Sequence, residues 1–252
     1  MLIARHREDL AIDYQASAKI RWHLGQHPLV DPDDAAIGPI IAIKDVTIEP
    51  LGVFHARVPR DTEELLFIVS GEVTPVRDFN TGEAIGAGTL IATIDGRHRG
   101  HYKLCNRATG HTARLVQVLW RPYRAGLAPS SSDAHPGRIG TVSLVPVVVP
   151  MTDGSPPPTA VTVHQEVRCW AGMLEEERLV PLAGQMELYV LPLQGDVMID
   201  GVHAADGDGV LVEQQDLVAV TPAGACAILM IVVPSSFAGQ FRWGDARYQL
   251  AE

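Results

Sequence analysis

Glu63-Glu64-Leu65-Leu66-Phe67-Ile68-Val69-Ser70-Gly71-Glu72 is an apolar, strand-like run that ends in glycine plus an acid, and Gly86-Ala87-Gly88 follows it as a glycine-rich turn. The chain then repeats the pattern. Glu187-Leu188-Tyr189-Val190-Leu191-Pro192-Leu193-Gln194-Gly195-Asp196 leads to Asp206-Gly207-Asp208-Gly209. Self-similarity at half the chain length implies that one small β-barrel unit was duplicated, so a site is to be sought in each copy.

Outward from these two runs, short β-branched segments alternate with turn residues: Ile40–Ile43, Leu90–Ile94, Leu115–Leu119, Val161–Val163, Val197–Ile199, Val210–Val212, Leu217–Val220 and Ile228–Val233. Such spacing predicts an all-β sandwich or barrel. Asp200-Gly201 predicts a two-residue hairpin turn, because both residues tolerate left-handed backbone, and Asn80-Thr81-Gly82 is read as a similar turn. The one helix expected is a short one over Leu10–His23. Proline and serine clusters at Ala128–Ser132 and Ser155–Pro158 mark a linker over Leu127–Pro158, flanking a strand at Val142–Val149. The division expected is 1–135 for the first barrel and 136–252 for the second.

Of the 252 residues, 46% are apolar, enough for two cores, and the formal charge is −10 with no basic run. Nucleic-acid binding, which needs a concentrated positive face, is not expected. Cys105, Cys169 and Cys226 stand apart without CxxC spacing and read as reduced thiols, mostly buried. The start of the chain lacks the apolar stretch of a signal peptide, and the longest apolar runs, near Val142–Met151 and Ala225–Pro234, are half a membrane span. A soluble, cytoplasmic protein with no membrane partner is expected.

Several segments, in order from Gly38 to about Pro234, resemble the pirin family of bicupins, including bacterial members described as quercetin 2,3-dioxygenases. Asp61-Thr62-Glu63 running into Phe67–Glu72 is similar to the family's "DMEILTYVLEGE" strand. Gln117–Trp120 with Gly126–Ser130 is similar to "QIWI…GLxPSY", Val163–Glu166 to "IHQD", and Asp206–Gly209 to the "AGDGA" turn. The resemblance implies two tandem cupin (jelly-roll) barrels with a metal site only in the first. That site takes an HxH pair and then a His-x-Glu pair one strand later, a donor set suited to Fe(II). Alignment without gaps from Lys44 to Gly71 puts Arg57 and Pro59 at the HxH positions, and His101 and Lys103 at the second pair. Arg and Lys have no lone pair to give at neutral pH and Pro has no side-chain donor. The implied metal site is therefore degenerate and no cofactor is expected. A residual metal on His55, Glu63 and His101 is the alternative.

Alternation along a strand aims His55, Arg57, His101 and Lys103 into the first barrel, with Glu63 (or Glu64) near its mouth. Arg57 and Lys103 would then orient an anionic organic substrate, His101 would move a proton, and His55, Pro59 and Glu63 would bind. The expected activity is a metal-independent isomerisation or cyclisation, by proton transfer or by holding a folded substrate conformer. A non-catalytic binding or regulatory protein and a metal-dependent dioxygenase with a rearranged site are the alternatives. His98 is read as a solvated turn residue, and His164 as a brace between barrels. The second barrel, without a His/Glu cluster, is read as scaffold.

Overall fold

A computed structural model describes residues 1–25, 37–77, 80–94, 100–138, 140–182 and 185–236. The chain forms two barrels, each a seven-stranded sheet closed by a smaller one. In the first barrel the large sheet runs Ser130–Ala134, Leu90–Ile94, Glu63–Ser70, Ala113–Trp120, Ile40–Ile48, Ala18–Gly25, Ala11–Gln15. The small sheet is built on Val53–Val58, Gly100–Cys105 and Glu72–Arg77. In the second barrel the large sheet runs Leu2–Arg5, Gly209–Val212, Met186–Gln194, Cys226–Pro234, Arg168–Leu174, Val145–Pro150, Val161–Val163. Its small sheet is Arg178–Pro181, Leu217–Pro222, Val197–Ile199, Val202–Ala204.

The two opening runs become the strands Glu63–Ser70 and Met186–Gln194, each central in its large sheet. They read as almost unbroken apolar because both faces are covered. Leu66 and Ile68 enter the core of the first barrel, while Leu65 and Phe67 join a core shared with Tyr189, Leu229 and Ile231 of the second. The barrels therefore pack large sheet against large sheet. A clamp crosses this boundary: Arg114 donates to both carboxylate oxygens of fully buried Asp45 at 2.9–3.0 Å and to Asp206 at 2.9 Å.

The duplicated glycines have a shared cause. Gly71 and Gly195 adopt φ of 74° and 76°. A Cβ at either would lie 2.8 Å from the Thr112 carbonyl oxygen or 2.3 Å from that of Ala225. Only glycine meets both the left-handed backbone and the close approach. Asp200 and Gly201 likewise have positive φ and join Ile199 to Val202 as a hairpin.

Three local expectations change. Leu10–His23 is no helix but part of a hairpin, Ala11–Gln15 paired with Ala18–Gly25, turning at Ala16 with φ 51°. Alternate burial of Ala18 and Ile20 beside half-exposed Lys19 and Arg21 has the period of a strand. Asn80–Thr81 is a short strand paired with Val76 and Arg77, not a turn. Leu2–Arg5, assigned with residues 1–135, pairs with Gly209–Val212 in the second barrel. Ser130–Ala134 is the last strand on the first large sheet, and Val145–Pro150 opens the run of strands on the second. His98 lies outside the described residues. The three cysteines are free; Cys169 and Cys226 are buried, and burial raises both thiol pKa values. Among the described residues no helix is long and apolar enough to cross a membrane.

Candidate functional site

The small sheet of the first barrel decides which residues face inward. Val53–Val58 alternates with Phe54, Ala56 and Val58 buried, and Gly100–Cys105 with Tyr102 and Leu104 buried. His55, Arg57, His101 and Lys103 are all exposed, on the outer face. There Arg57 stands directly opposite His101, and Lys103 opposite His55. The expected inward set is thus corrected by one residue of register, which exchanges the two faces of a strand. The physical reason is desolvation: these strands turn phenylalanine, alanine, valine and leucine inward and leave the Arg57 and Lys103 head groups in water. Pro59 is half-buried beyond the end of its strand.

The metal implied by the resemblance does not fit this interior. The inward positions offer Ala56, Val58, Tyr102 and Leu104, with no imidazole among them. His55 and His101 lie outside the barrel, and Glu63 turns to the far side of the large sheet, so the alternative trio does not converge either. Among the described residues no group of three or more His, Cys, Asp or Glu is placed to hold a metal ion.

What the first barrel does hold is a polar chain that sequence reasoning missed. Glu64, fully buried, accepts from Tyr102 Oη at 2.6 Å, Gln117 Nε2 at 2.5 Å and Thr93 Oγ1 at 3.1 Å. The Gln117 Oε1 atom accepts from Lys44 Nζ at 3.0 Å, and that amine lies 4.5 Å over the Trp22 ring. Desolvation raises the Glu64 pKa against the pull of these hydrogen bonds, and lowers Lys44 to about 8. Arg77 covers the Tyr102 ring at 4.5 Å.

Glu63 serves the other face. Its Oε1 accepts from the backbone N–H of His164 at 2.7 Å and meets His164 Nδ1 at 3.0 Å, while Oε2 accepts from Trp120 Nε1 at 2.8 Å. His164 therefore does tie one barrel to the other. A carboxylate takes only acceptor roles, so Nδ1 is the donor in this contact. Tyr123 stacks on the imidazole, with ring centroids 6.3 Å apart, and Arg124 sits over Tyr123 at 5.4 Å. Glu63 and His164 line a groove of about 480 Å³ between the barrels, with Arg124, Leu127, Met151 and Ser130–Ser132. That volume suits a small organic ligand. A spacing clue existed in the sequence, since Glu63 and His164 fall in two of the family-like segments. Nothing local shows that those segments meet.

Two double-sheet barrels in tandem, joined through their large sheets, define a bicupin. Residues 153–233 match the family described as the quercetinase C-terminal cupin domain. The chain is 22% identical over 206 residues, 81% of its own length and 86% of the relative's, to a quercetin 2,3-dioxygenase of Escherichia coli strain K12. In fold it is similar to the bacterial pirin YhhW of Escherichia coli in complex with nickel(II), with a TM-score of 0.79 at 18% identity, covering 93% of this chain and 99% of that one. A quercetin 2,3-dioxygenase of Acinetobacter baumannii gives a TM-score of 0.68 at 13% identity, covering 94% and 79%. In fold the chain is thus similar to the pirin-type bicupins, and among the described residues its first barrel shows no donor set for a metal.

Proposed function

We propose that this bicupin is a small-molecule enzyme that moves a proton without a resident metal, and that it works in the groove between its barrels. The observation that carries this reading is His164, held through Nδ1 by buried Glu63 at the edge of a groove large enough for a substrate. A carboxylate that fixes the tautomer and orientation of an imidazole leaves Nε2 as a base. Arg124 and the serine hydroxyls of Ser130–Ser132 supply charge and hydrogen bonds for a substrate that becomes anionic. Leu127 and Met151 in the lining favour a partly apolar body. The names of the relatives point the same way, toward phenolic or enolic compounds such as quercetin. The reaction class is isomerisation or ring closure that begins with loss of a proton to Nε2.

The test uses quercetin in deuterated water, with deuterium entering its ring carbons read by mass spectrometry. Catalysed exchange is expected, about a hundredfold slower in His164→Asn, within the usual range for a lost acid–base group. Exchange no faster than without protein overturns the reading. Equal exchange in wild type and His164→Asn, with a lower melting temperature for the variant, would leave His164 as a brace alone.

A further inference from the structure

The chain has three lysines against seventeen arginines, and one lysine occupies the interior of the first barrel. Lys44 lies on the strand Ile40–Ile48, between Ala113–Trp120 and Ala18–Gly25, and is 7% exposed. An ammonium carries three N–H donors. Among the described residues Nζ has one hydrogen-bond acceptor, Gln117 Oε1, and one aromatic face, Trp22. A buried ammonium short of acceptors favours losing its proton to become an amine. Arginine could not do so, because its guanidinium stays charged.

We propose that Lys44 is a carbonyl-reactive amine, and that the first barrel takes a small aldehyde or ketone as a Schiff base on its Nζ. The site is separate from the groove and does not depend on it. The lone pair of Nζ attacks the carbonyl carbon, a C–N bond forms, and the C=O π pair moves to oxygen, which takes a proton. The Tyr102–Glu64 pair, one amide away through Gln117, carries protons for the second step. In that step the hydroxyl leaves as water and C=N forms. Amine plus carbonyl gives imine plus water, with no change of oxidation state. Trp22, whose ring lies 4.5 Å from Nζ, offers an apolar flank to the carbonyl compound.

Burial first, and the nearby Arg57 charge less, lower the Lys44 pKa to about 8, against Glu64 and Asp13, which raise it. The reactive fraction therefore grows as pH rises toward 8, where an exposed lysine is ordinarily still protonated.

The experiment treats the full chain with propanal and sodium cyanoborohydride between pH 6.5 and 8, then maps N-propylated lysines by peptide mass spectrometry. Lys44 is expected to label at least about tenfold faster than Lys19 or Lys103, with a rate that climbs with pH over this range. Labelling of Lys44 at or below the rate of the other two overturns the proposal. So does a Lys44 rate that does not respond to pH. Both readouts are made on the wild-type protein, so they do not depend on a variant folding.

Discussion

Glu63 and Glu64 are consecutive on one strand, and their carboxylates work on opposite sides of it. The first is bonded to His164 and Trp120 at the boundary between barrels, the second to Tyr102, Gln117 and Thr93 inside the first barrel. The strand pleat alone separates them. Two carboxylates side by side in the sequence thus belong to two unrelated sites, and substitutions at them have different signatures.

Glu63→Gln keeps the shape but halves the acceptor capacity facing three donors. The His164 backbone N–H, the His164 ring and the Trp120 indole N–H then compete for one oxygen. The expected loss is about 2–4 kcal/mol in urea unfolding. Glu166→Gln, with its carboxylate half exposed, is the control and should change stability by less than about 0.5 kcal/mol. Equal midpoints for the two variants would show that the buried contact is not formed.

Glu64 has a distinct pH signature. Its folded pKa is raised by desolvation above the unfolded value near 4.5. Between those values the folded chain binds more protons, so the contribution to stability is present at low pH and lost as pH rises through the folded pKa. Glu64→Gln removes that decline. The difference in unfolding free energy, variant minus wild type, should grow with pH above about 4.5, by up to about 1.4 kcal/mol per pH unit within the window. A difference independent of pH would mean that Glu64 titrates alike in both states.

The fold was legible because its signals are local and repeated: alternating β-branched runs, Asp200-Gly201, and glycines at matching places in both halves. The site was legible only in part. Val53-Phe54-His55-Ala56-Arg57-Val58 alternates apolar with polar, which by itself aims Phe54, Ala56 and Val58 inward. An alignment that tracked metal-ligand positions instead pointed to the polar partners. Lys44, Gln117 and Tyr102 come from three separated strands, and only Gln117 is an isolated polar residue in an apolar run. Their meeting follows from register, which pairs Gln117 with both Lys44 and Leu66, and no short window of sequence contains it.

The outward placement of the small-sheet cations has its own consequence. Arg57 faces His101 across the ladder, and Lys103 faces His55, and all four side chains are exposed to water. Arg57→Ser and Lys103→Ser should each leave stability within about 0.5 kcal/mol of wild type. A loss of several kcal/mol in either, measured by urea unfolding, would place that side chain inside.

Gly71→Ala and Gly195→Ala should be costly to a similar degree, because each puts a Cβ within 3 Å of a strand backbone at positive φ. About 2–4 kcal/mol is expected for each. Gly201→Ala keeps the unfavourable φ, but no atom lies within 4 Å of its Cβ, so about 1 kcal/mol is expected. Three equal melting temperatures would assign the whole effect to backbone conformation and none to the close approach.

His23 couples the barrels to acid. It is fully buried, its Nδ1 lies 2.9 Å from the Tyr189 hydroxyl of the second barrel, and burial lowers its pKa to about 4. Asp45 opposes that shift, while Arg114, Arg5 and Arg21 add to it. In the unfolded chain an imidazole titrates near 6.5. Between pH 6.5 and 4 the unfolded state therefore binds the extra proton, and stability falls as pH falls. Over the whole window the loss from this one residue is about 3 kcal/mol. His23→Gln keeps a polar partner for Tyr189 and has nothing to titrate, so its unfolding free energy should be flatter than that of wild type between pH 6.5 and 4. Parallel pH profiles for the two proteins would place the acid sensitivity elsewhere, with the carboxylates of the Asp45–Arg114–Asp206 clamp as the next groups to substitute.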